Sequence, residues 1–304
     1  MSAESAVPVD AVRGCPLGCG RPGHALGELP KTSTAPLSRT HYTLTRCGCG
    51  ALLYLSPAPS TADLTTMYVD QGQFGSEYTD EARVRAILGY MGEALRALER
   101  HAGGAPHRPL RVLEVGAGLS WMCRAAKARN AASVTVAQDV SPEAVDACPW
   151  VDHYVLGDVA DPRLDVLAPF DIVSMTHVIE HLVDPVGVVA RCRKLMAPHA
   201  LLFVTAPHRP RAWNEAAPDL DVWTAYSYNH VPAHVQYFSE ASLSRLAEAA
   251  GCRLVYWSHA HEGGEAFEAW LAPQTAAAPL GWWHRAAMAA GRKWRRAGRA
   301  LLRR

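Results

Sequence analysis

The sequence predicts an α/β fold built on a doubly wound, mostly parallel sheet, with a small cysteine ribbon before it and a basic helical tail after it. Residues 111–115 form a short apolar run that leads into a glycine-containing turn and a helical pattern at 120–129. Four further apolar runs follow, with room for a helix between successive strands, which is the pattern of parallel α/β sheets. Paired cysteines near one end of the chain and a run of bases near the other mark the flanking parts.

The elements of the sheet follow one another in a regular order. Gly116 and Gly118 allow a tight turn after the first strand and bring bare N–H groups close to a ligand, as nucleotide-binding strand–turn–helix units require. The second predicted strand ends at Asp139, and a Gly-Asp pair with Asp158 follows the third. The four later apolar runs begin at Val134, Tyr154, Phe170 and Leu201.

Two alternatives to this interpretation of the turn stay open. A dinucleotide-binding dehydrogenase would carry the fuller G-x-G-x-x-G pattern, but position 121 is Trp121. An acid about 20 residues beyond the turn fits either kind of cofactor, because both present ribose hydroxyls. The glycines could also serve the tight turn alone, with no ligand.

The composition favours one domain of ordinary size with appendages. The chain has 304 residues, of which 49% are apolar, enough for a sizeable core. The formal net charge is +1, so we expect no general affinity for nucleic acid. We find no apolar run typical of a signal peptide or long enough for a membrane span, so we expect a cytoplasmic protein.

The charge is concentrated at one end of the chain. From Ala269 onward there is no acid, and all eight bases lie within 285–304. Trp283 and Trp294 fall on one helical stripe and most of the bases on another, which is typical of an interfacial membrane helix. We therefore predict that 276–304 is a basic amphipathic tail that makes peripheral contact with the inner face of the membrane. A disordered tail, or a helix docked on the acidic remainder of the chain, are the alternatives.

The cysteines divide into two groups. Two pairs lie in glycine-containing turns: Cys15 with Cys19, and Cys47 with Cys49. Thiolates from two turns can complete a tetrahedral zinc site without an extensive core. We predict a structural zinc ribbon at 1–60; a ribbon that has lost its metal, or free thiols, are the alternatives, and a disulfide would be unusual in a cytosolic chain. The scattered cysteines are expected to be reduced and buried: Cys123, Cys148, Cys192 and Cys252.

Residues 108 to 257, with the turn and acids described above, resemble a class I S-adenosylmethionine-dependent methyltransferase. The resemblance implies a seven-stranded, Rossmann-like sheet in a domain spanning 108–275. It also assigns the cofactor contacts: an acidic glycine-rich turn for the methionine part, an acid for the ribose hydroxyls, and a Gly-Asp for the adenine. Carried over in that order, these residues are Glu114, Gly116, Gly118, Asp139 and Asp158. Thr176, after the fourth strand, is a further predicted cofactor contact. Ser120 stands where the family often has a third glycine.

The segment at 52–68 resembles one that joins an N-terminal cysteine ribbon to the methyltransferase domain in a bacterial subfamily acting on sugars, lipids and natural products. We predict a short helix at 61–68, capped by Ser60 or Thr61, and an amphipathic helix at 81–101. Together they form a helical linker or lid, 61–107, that closes over the cofactor edge.

Catalytic side chains are expected after the fourth strand, because ligands of open α/β sheets bind beyond the carboxyl ends of the strands. His177, Glu180 and His181 occupy that position. An imidazole suits a base at neutral pH, and packing of His181 at a helix start is the structural alternative. The segment resembles that of ubiquinone-pathway O-methyltransferases, whose E-x-x-E-H pattern can hold a divalent metal; histidine replaces the first acid here. It also matches the inverted zinc-protease motif H-x-x-E-H, which needs a long helix.

A second group of aromatic and histidine side chains lies in a proline-containing insertion, 208–238, and predicts a substrate pocket or lid. His234 is the second predicted base. The sequence thus predicts O-methylation of a small-molecule, sugar or lipid-linked acceptor. C- or N-methylation, and a cofactor-binding protein without catalysis, are the alternatives.

Overall fold

The computed structural model describes residues 13–70, 80–102, 107–214, 216–261 and 265–274. They form a seven-stranded sheet, a four-stranded sheet and seven labelled α-helices. The strands of the large sheet are β4 (Arg111–Val115), β5 (Val134–Asp139), β6 (His153–Leu156), β7 (Phe170–Thr176), β8 (Met196–Pro207), β10 (Cys252–His261) and β11 (Ala266–Pro273). The strands of the small sheet are β1 (His24–Pro30), β2 (His41–Arg46), β3 (Leu53–Ser56) and β9 (Gln236–Tyr237). The helices are α1 (Thr61–Thr65), α2 (Glu81–Ala102), α3 (Trp121–Arg129), α4 (Arg163–Leu167), α5 (Pro185–Leu195), α6 (Leu220–Thr224) and α7 (Glu240–Ala249).

The large sheet has the order β10-β11-β8-β7-β4-β5-β6. Its central strands pair in parallel, whereas β11 runs antiparallel to both β8 and β10. The chain moves outward from β4 to β6 and then returns to β7 on the other side of β4. This reversal places a topological switch point between β4 and β7, where ligands of such sheets bind. The predicted doubly wound, mostly parallel, seven-stranded sheet is confirmed.

The small sheet is antiparallel and is completed by a strand from far along the chain. Its order is β1-β2-β3-β9, with Leu53 paired to Tyr237 across β3 and β9. Further hydrogen bonds run from the Leu55 N–H to the Val235 oxygen, at 2.9 Å, and from the Thr32 N–H to the Val231 oxygen, at 2.8 Å. The described part of the predicted ribbon region, 13–60, is therefore joined edge to edge with the insertion that carries the second predicted base.

The α2 helix packs as a core element. Its apolar stripe, with Met91, Leu95 and Leu98 all buried, lies against α3 and one face of the large sheet. The Tyr90 hydroxyl donates to the partly buried carboxylate of Glu268 on β11, at 2.9 Å. These contacts are those of a layer that covers the face of the sheet. The expected role of the 61–107 segment as a lid over the cofactor edge stays a prediction.

The segment between the ribbon and α2 is anchored by a capping box. The Ser60 side chain accepts from the Asp63 N–H, and the Asp63 carboxylate accepts from the Ser60 N–H, so Ser60 is the cap of α1. Asp63 also accepts from the Ser38 N–H at 2.7 Å, which ties α1 to the ribbon. After α1 the chain forms one π-helical turn, Thr66–Asp70, in place of the longer α-helix expected.

Within the described ranges, no helix combines the length and apolar composition needed to cross a bilayer. The predicted amphipathic tail, 276–304, with Trp283 and Trp294, lies outside the described residues.

Candidate active site

The turn between β4 and α3 depends on residues without bulky side chains. Gly116, Gly118 and Ser120 all have positive φ, at 59°, 47° and 52°. A Cβ on Gly116 would lie 2.6 Å from a methyl carbon of Val178, so glycine is required there on steric grounds as well. Ser120 occupies the left-handed conformation that favours a third glycine, which explains why the family pattern often has one at that position.

Glu114 joins β4 to the start of α3. Its buried carboxylate accepts from the Met122 N–H at 3.0 Å and from the Cys123 N–H at 3.1 Å, in the first turn of the helix. Burial raises the pKa of Glu114 to about 7, although the two N–H donors act in the opposite direction. The carboxylate thus ties the end of β4 to the first turn of α3, across the glycine turn. Its assignment as a cofactor contact stays a prediction.

Asp139 ties the end of β5 to the glycine turn. Its carboxylate accepts from the Gly118 N–H at 2.8 Å and from the Ser141 N–H at 2.9 Å. The backbone oxygen of Asp139 accepts from the Gly157 N–H at 2.9 Å, immediately before the exposed Asp158. Three of the predicted cofactor segments therefore adjoin at the carboxyl ends of β4, β5 and β6.

Two exposed apolar side chains beside these acids were not singled out from the sequence. Val140 follows Asp139 and is 50% exposed, and Leu156 precedes the Gly157-Asp158 pair and is 43% exposed. Large apolar side chains at the mouth of a sheet gain from being covered by a flat apolar ring. Their position directly beside the two acids was the available signal in the sequence.

The predicted catalytic residues follow β7 in an irregular segment. His177 has φ of 54° and donates its N–H to the Thr205 oxygen at 2.9 Å, and Ile179–His181 then form a single 3-10 turn. The two histidines are therefore not presented by one long helix, and the inverted zinc-protease interpretation fails on this geometry. The Oγ1 of Thr176, at the end of β7, is buried and has no hydrogen-bond partner within the described ranges.

Glu180 is a buried carboxylate surrounded by imidazoles. It is 0% exposed, and its Oε1 lies 3.4 Å from the Nδ1 of His177 and 3.9 Å from the Nε2 of His181. Neither carboxylate oxygen forms a hydrogen bond of good geometry with any described residue. Burial would raise the pKa of Glu180, but attraction to His181, His177 and His234 outweighs it and lowers the pKa to about 2. The site therefore contains a fixed negative charge.

His181 is contacted by two residues that are far from it in the sequence, Tyr68 and Ala233. Its Nδ1 lies 2.7 Å from the Tyr68 hydroxyl oxygen and 2.8 Å from the Ala233 oxygen. The Tyr68 hydroxyl itself donates to the Ala233 oxygen at 3.2 Å. Tyr68 belongs to the π-helical turn after α1, and sequence reasoning missed it because the contact joins residues 113 positions apart.

His234 lies directly against His181, with ring centroids 4.9 Å apart. It is 5% exposed, and its Nδ1 is 2.9 Å from the Tyr228 oxygen. Burial lowers the pKa of His234 well below the usual range, and repulsion from His181 adds to the shift. His177 stacks on the Tyr228 ring at 6.2 Å. The structure thus brings all three predicted histidines around Glu180.

Two groups of described residues have donor sets suited to a metal: Cys15, Cys19, Cys47 and Cys49, and separately Glu180, His181 and His234. The second group differs from the set implied by the ubiquinone-pathway pattern, because His234 takes the place of His177. One carboxylate and two imidazoles are ligands that zinc and similar divalent metals accept. The unbonded oxygens of Glu180 fit such an ion, and they fit a protonated histidine equally well.

The four N-terminal cysteines come together from two similar turns. The Gly18 N–H donates to the Cys15 oxygen at 2.9 Å and the Gly50 N–H to the Cys47 oxygen at 2.7 Å. The Sγ of Cys47 lies 3.2 Å from that of Cys19 and 3.0 Å from that of Cys49, and all four cysteines are free thiols. The geometry suits a thiolate-bound zinc, which stays a prediction.

Part of the aromatic insertion is a packing surface. Trp213, Trp223 and Tyr237 are buried against the small sheet in a cluster of its own, with the Trp223 and Tyr237 rings 4.4 Å apart. These side chains therefore build the core between ribbon and insertion. Tyr228 and His234 remain on the side that faces the β7 segment.

A family model described as a methyltransferase domain matches residues 87–256, more than half of the chain. The chain belongs to this family. With its sheet order and glycine turn, it is a class I S-adenosylmethionine-dependent methyltransferase.

Curated relatives match a smaller part of the chain. A ubiquinone biosynthesis O-methyltransferase of Xylella fastidiosa strain 9a5c is 34% identical over 34% of this chain and 44% of its own length. The corresponding protein of Neisseria meningitidis serogroup C is 27% identical over 49% of this chain and 66% of its own length. The chain thus spans about half to two thirds of the length of these relatives.

Solved structures give more distant matches. A methyltransferase of calicheamicin biosynthesis in its SAH-bound form is 22% identical, with a TM-score of 0.42, over 65% of this chain and 60% of that chain. The plantazolicin methyltransferase BpumL is 9% identical, with a TM-score of 0.49, over 64% of this chain and 86% of that chain. Neither likeness bears on the acceptor.

Proposed function

We propose that this protein transfers the methyl group of S-adenosylmethionine to a hydroxyl oxygen of a small-molecule acceptor. The observation that carries the proposal is the juxtaposition of two predicted sites at one edge of the sheet. The glycine turn with Asp139 ends β4 and β5, and the histidines around Glu180 follow the neighbouring strand β7. A cofactor and a base would therefore meet at the switch point.

The cofactor would lie across the carboxyl ends of β4, β5 and β6. The carboxylates of Asp139 and Asp158 would supply polar contacts beside the glycine turn, and the exposed Val140 and Leu156 would supply apolar ones. The bound cofactor supplies a methyl group on a positively charged sulfur. The protein's contribution is to align the acceptor with that group and to exclude competing water.

The base in this proposal is the Nε2 of His181 or of His234. That imidazole would take the hydroxyl proton as the acceptor oxygen receives the methyl group from the sulfonium sulfur. The negative Glu180 carboxylate, 3.9 Å from the Nε2 of His181, stabilises the imidazolium that forms. S-adenosylhomocysteine and the methyl ether are then released.

The O-methyltransferase relatives favour oxygen over carbon or nitrogen as the acceptor atom. A phenol, catechol, sugar hydroxyl or lipid-linked hydroxyl would each suit one imidazole base. A second version of the mechanism places a divalent metal on Glu180, His181 and His234, where it would lower the pKa of the acceptor hydroxyl. Turnover that needs added metal and is abolished by chelator supports this version, and full turnover in chelator supports the base alone.

The predicted cofactor contacts are tested by measuring the S-adenosylmethionine affinity of Asp139→Ala by calorimetry. The change leaves the Gly118 and Ser141 N–H groups without their partner and removes the ribose contacts, so S-adenosylmethionine affinity should fall by about 1–3 kcal/mol. Asp165→Ala, on the outer surface where Asp165 pairs with Arg191, is the matched control. Unchanged affinity in Asp139→Ala contradicts the assignment.

The catalytic half is tested by screening hydroxylated small molecules for S-adenosylhomocysteine release and then assaying His181→Gln and His234→Gln. Loss of the base should lower turnover about 100-fold or more with cofactor affinity nearly intact. If both variants keep full turnover, the histidines are structural. Cofactor binding without turnover on any acceptor class would favour a binding protein without catalysis.

A further inference from the structure

We infer that Tyr68 is a positioning residue of the active site: together with the Ala233 oxygen, it holds His181 in the tautomer that leaves Nε2 as the base. This inference rests on the proposed function only for the role of Nε2. The tautomer itself follows from the contacts of three groups that come from different parts of the chain, namely Tyr68, His181 and Ala233.

The placement of Tyr68 is fixed by the elements before it. Asp63 accepts from the Ser38 hydroxyl at 2.6 Å and from the Ser60 hydroxyl at 2.7 Å, so α1 is fastened to the ribbon loop at its first turn. The π-helical turn then continues directly from α1 and points Tyr68 at the β7 segment. A partly buried tyrosine on so short and anchored a segment has little freedom to leave its partner.

The proton positions follow from what each atom can do. The Ala233 oxygen lies 2.8 Å from the Nδ1 of His181, and a carbonyl oxygen can only accept. A bare Nδ1 would set two lone pairs against each other at that distance, so Nδ1 carries the proton. The Tyr68 hydroxyl then donates to the Ala233 oxygen, and its own lone pair accepts from Nδ1–H at 2.7 Å. In this arrangement the Nδ1–H is shared between the Ala233 and Tyr68 oxygens, and the hydroxyl hydrogen of Tyr68 is also used.

The consequence lies on the other side of the ring. With Nδ1 protonated, the neutral imidazole presents a lone pair at Nε2, on the side of Glu180. The tyrosine hydroxyl and the carbonyl together fix the ring plane, because a second acceptor beside the first restrains rotation about the side-chain bonds. Partners of this kind typically change activity 10–100-fold when they are removed from a catalytic or metal-bound histidine.

A chemical feature of Tyr68 supports a positioning role over a role as the base. Burial raises the pKa of Tyr68 above the range of an ordinary phenol, and repulsion from the nearby Glu180 carboxylate adds to the shift. The phenol therefore keeps its proton at neutral pH. It acts through His181 and does not itself remove a proton from the acceptor.

The test uses Tyr68→Phe in the full-length chain, with Tyr237→Phe as the matched control. Tyr237 is a buried tyrosine 6.2 Å from the His234 ring whose hydroxyl has no hydrogen-bond partner within the described ranges, so the same atom is lost without a partner. Nitrogen-15 NMR of histidine-labelled protein reports the tautomer of His181 and needs no substrate. The wild type should show Nδ1–H. Tyr68→Phe keeps only the Ala233 oxygen of these two acceptors, so it should show a mixture with Nε2–H.

Kinetics give the second readout. Tyr68→Phe should lower kcat about 10-fold, with the KM for the acceptor and the affinity for S-adenosylmethionine within about 2-fold of wild type. Tyr237→Phe should keep both the spectrum and kcat. An Nε2–H tautomer in the wild type, or an unchanged spectrum and kcat in Tyr68→Phe, overturns the inference. A protein that turns over no acceptor but shows the Nδ1–H tautomer and the mixture in Tyr68→Phe refutes the proposed function and leaves the tautomer assignment standing.

Discussion

At the scale of single residues, Glu180 places a buried negative charge in the candidate active site. A carboxylate with no exposure and without a hydrogen bond to any described residue is costly to bury, on the order of several kcal/mol, unless a positive group lies beside it. The groups available are the imidazoles of His177, His181 and His234. A base that becomes positive during the reaction relieves this cost, so the negative charge favours the protonated histidine at the moment it forms.

The first prediction at this scale concerns Asp63, whose carboxylate takes part in the capping box of α1. Burial would raise the pKa of Asp63, but hydrogen bonds from Ser38 and Ser60 outweigh it and lower the pKa to about 2. An unfolded chain has a value near 4, so the ionised form contributes about 2 kcal/mol to the free energy of unfolding above that pH. This contribution is lost as the pH falls through 4 toward 2.

Urea unfolding of Asp63→Asn as a function of pH measures this effect. The variant should be about 2 kcal/mol less stable than wild type at pH 7, and the difference should shrink toward pH 2. Asp161→Asn is the matched control, because Asp161 also has a pKa lowered to about 2, by Arg163, but is partly exposed and pairs with an exposed arginine. A pH-independent loss in Asp63→Asn would show that the carboxylate acts through shape and not through charge.

Residue patterns predicted one half of the site better than the other. Gly116, Gly118, Asp139 and Asp158 stand in a fixed order along consecutive strands and turns, so the local pattern was enough to place them at one edge. Tyr68 meets His181 only through packing between the N-terminal segment and the main sheet. No local periodicity records a contact of that kind, and a lone tyrosine after a short helix carries no signal of its own.

At the scale of elements, the ribbon and the active site share one sheet. The strand β9 follows His234 by two residues and pairs with β3, which in turn pairs with β2 just before Cys47. The Gln236 side chain reaches back from β9 and donates to the Ile179 and Leu182 oxygens, at 3.0 and 2.8 Å. The position of the histidines therefore depends on the integrity of the small sheet.

This connection gives the zinc prediction a functional consequence. Purified protein prepared without chelator should contain about one zinc per chain, because thiolate zinc sites contribute folding energy directly. Cys47→Ser should lose the metal and, by loosening β2 and β3, lower turnover through His234. Hydrogen exchange should show faster exchange in the small sheet and unchanged protection in β4 and β5.

Elemental analysis of Cys252→Ser supplies the control, since Cys252 is buried in the main domain, away from the cluster. That variant should keep its zinc. A wild type without metal, or a Cys47→Ser variant with full metal content, would leave the cysteines as a metal-free ribbon whose fold is held by its sheet and by the packing of Trp223 and Tyr237.

At the scale of the whole molecule, a run of bases lies far along the chain from the residues of the candidate active site. The methyltransferase sheet and ribbon account for the described residues, whereas all eight bases of the last 36 residues lie within 285–304. A lipid-linked acceptor would give such a tail a purpose, because holding the protein at an anionic surface raises the local concentration of the acceptor.

The tail prediction is that residues 280–304 bind anionic membranes reversibly. Each base near an anionic surface contributes about 1 kcal/mol, an effect that salt screens, while Gly291 and Gly298 each cost a helix about 1 kcal/mol. Even a few engaged bases outweigh the two glycines.

Co-sedimentation with liposomes should therefore require acidic lipid, weaken with salt and disappear when the chain is cut after Pro279. Equal binding to neutral liposomes, or binding that survives the deletion, would contradict an electrostatic anchor. Full-length protein that never sediments would favour a tail folded against the chain's own acids.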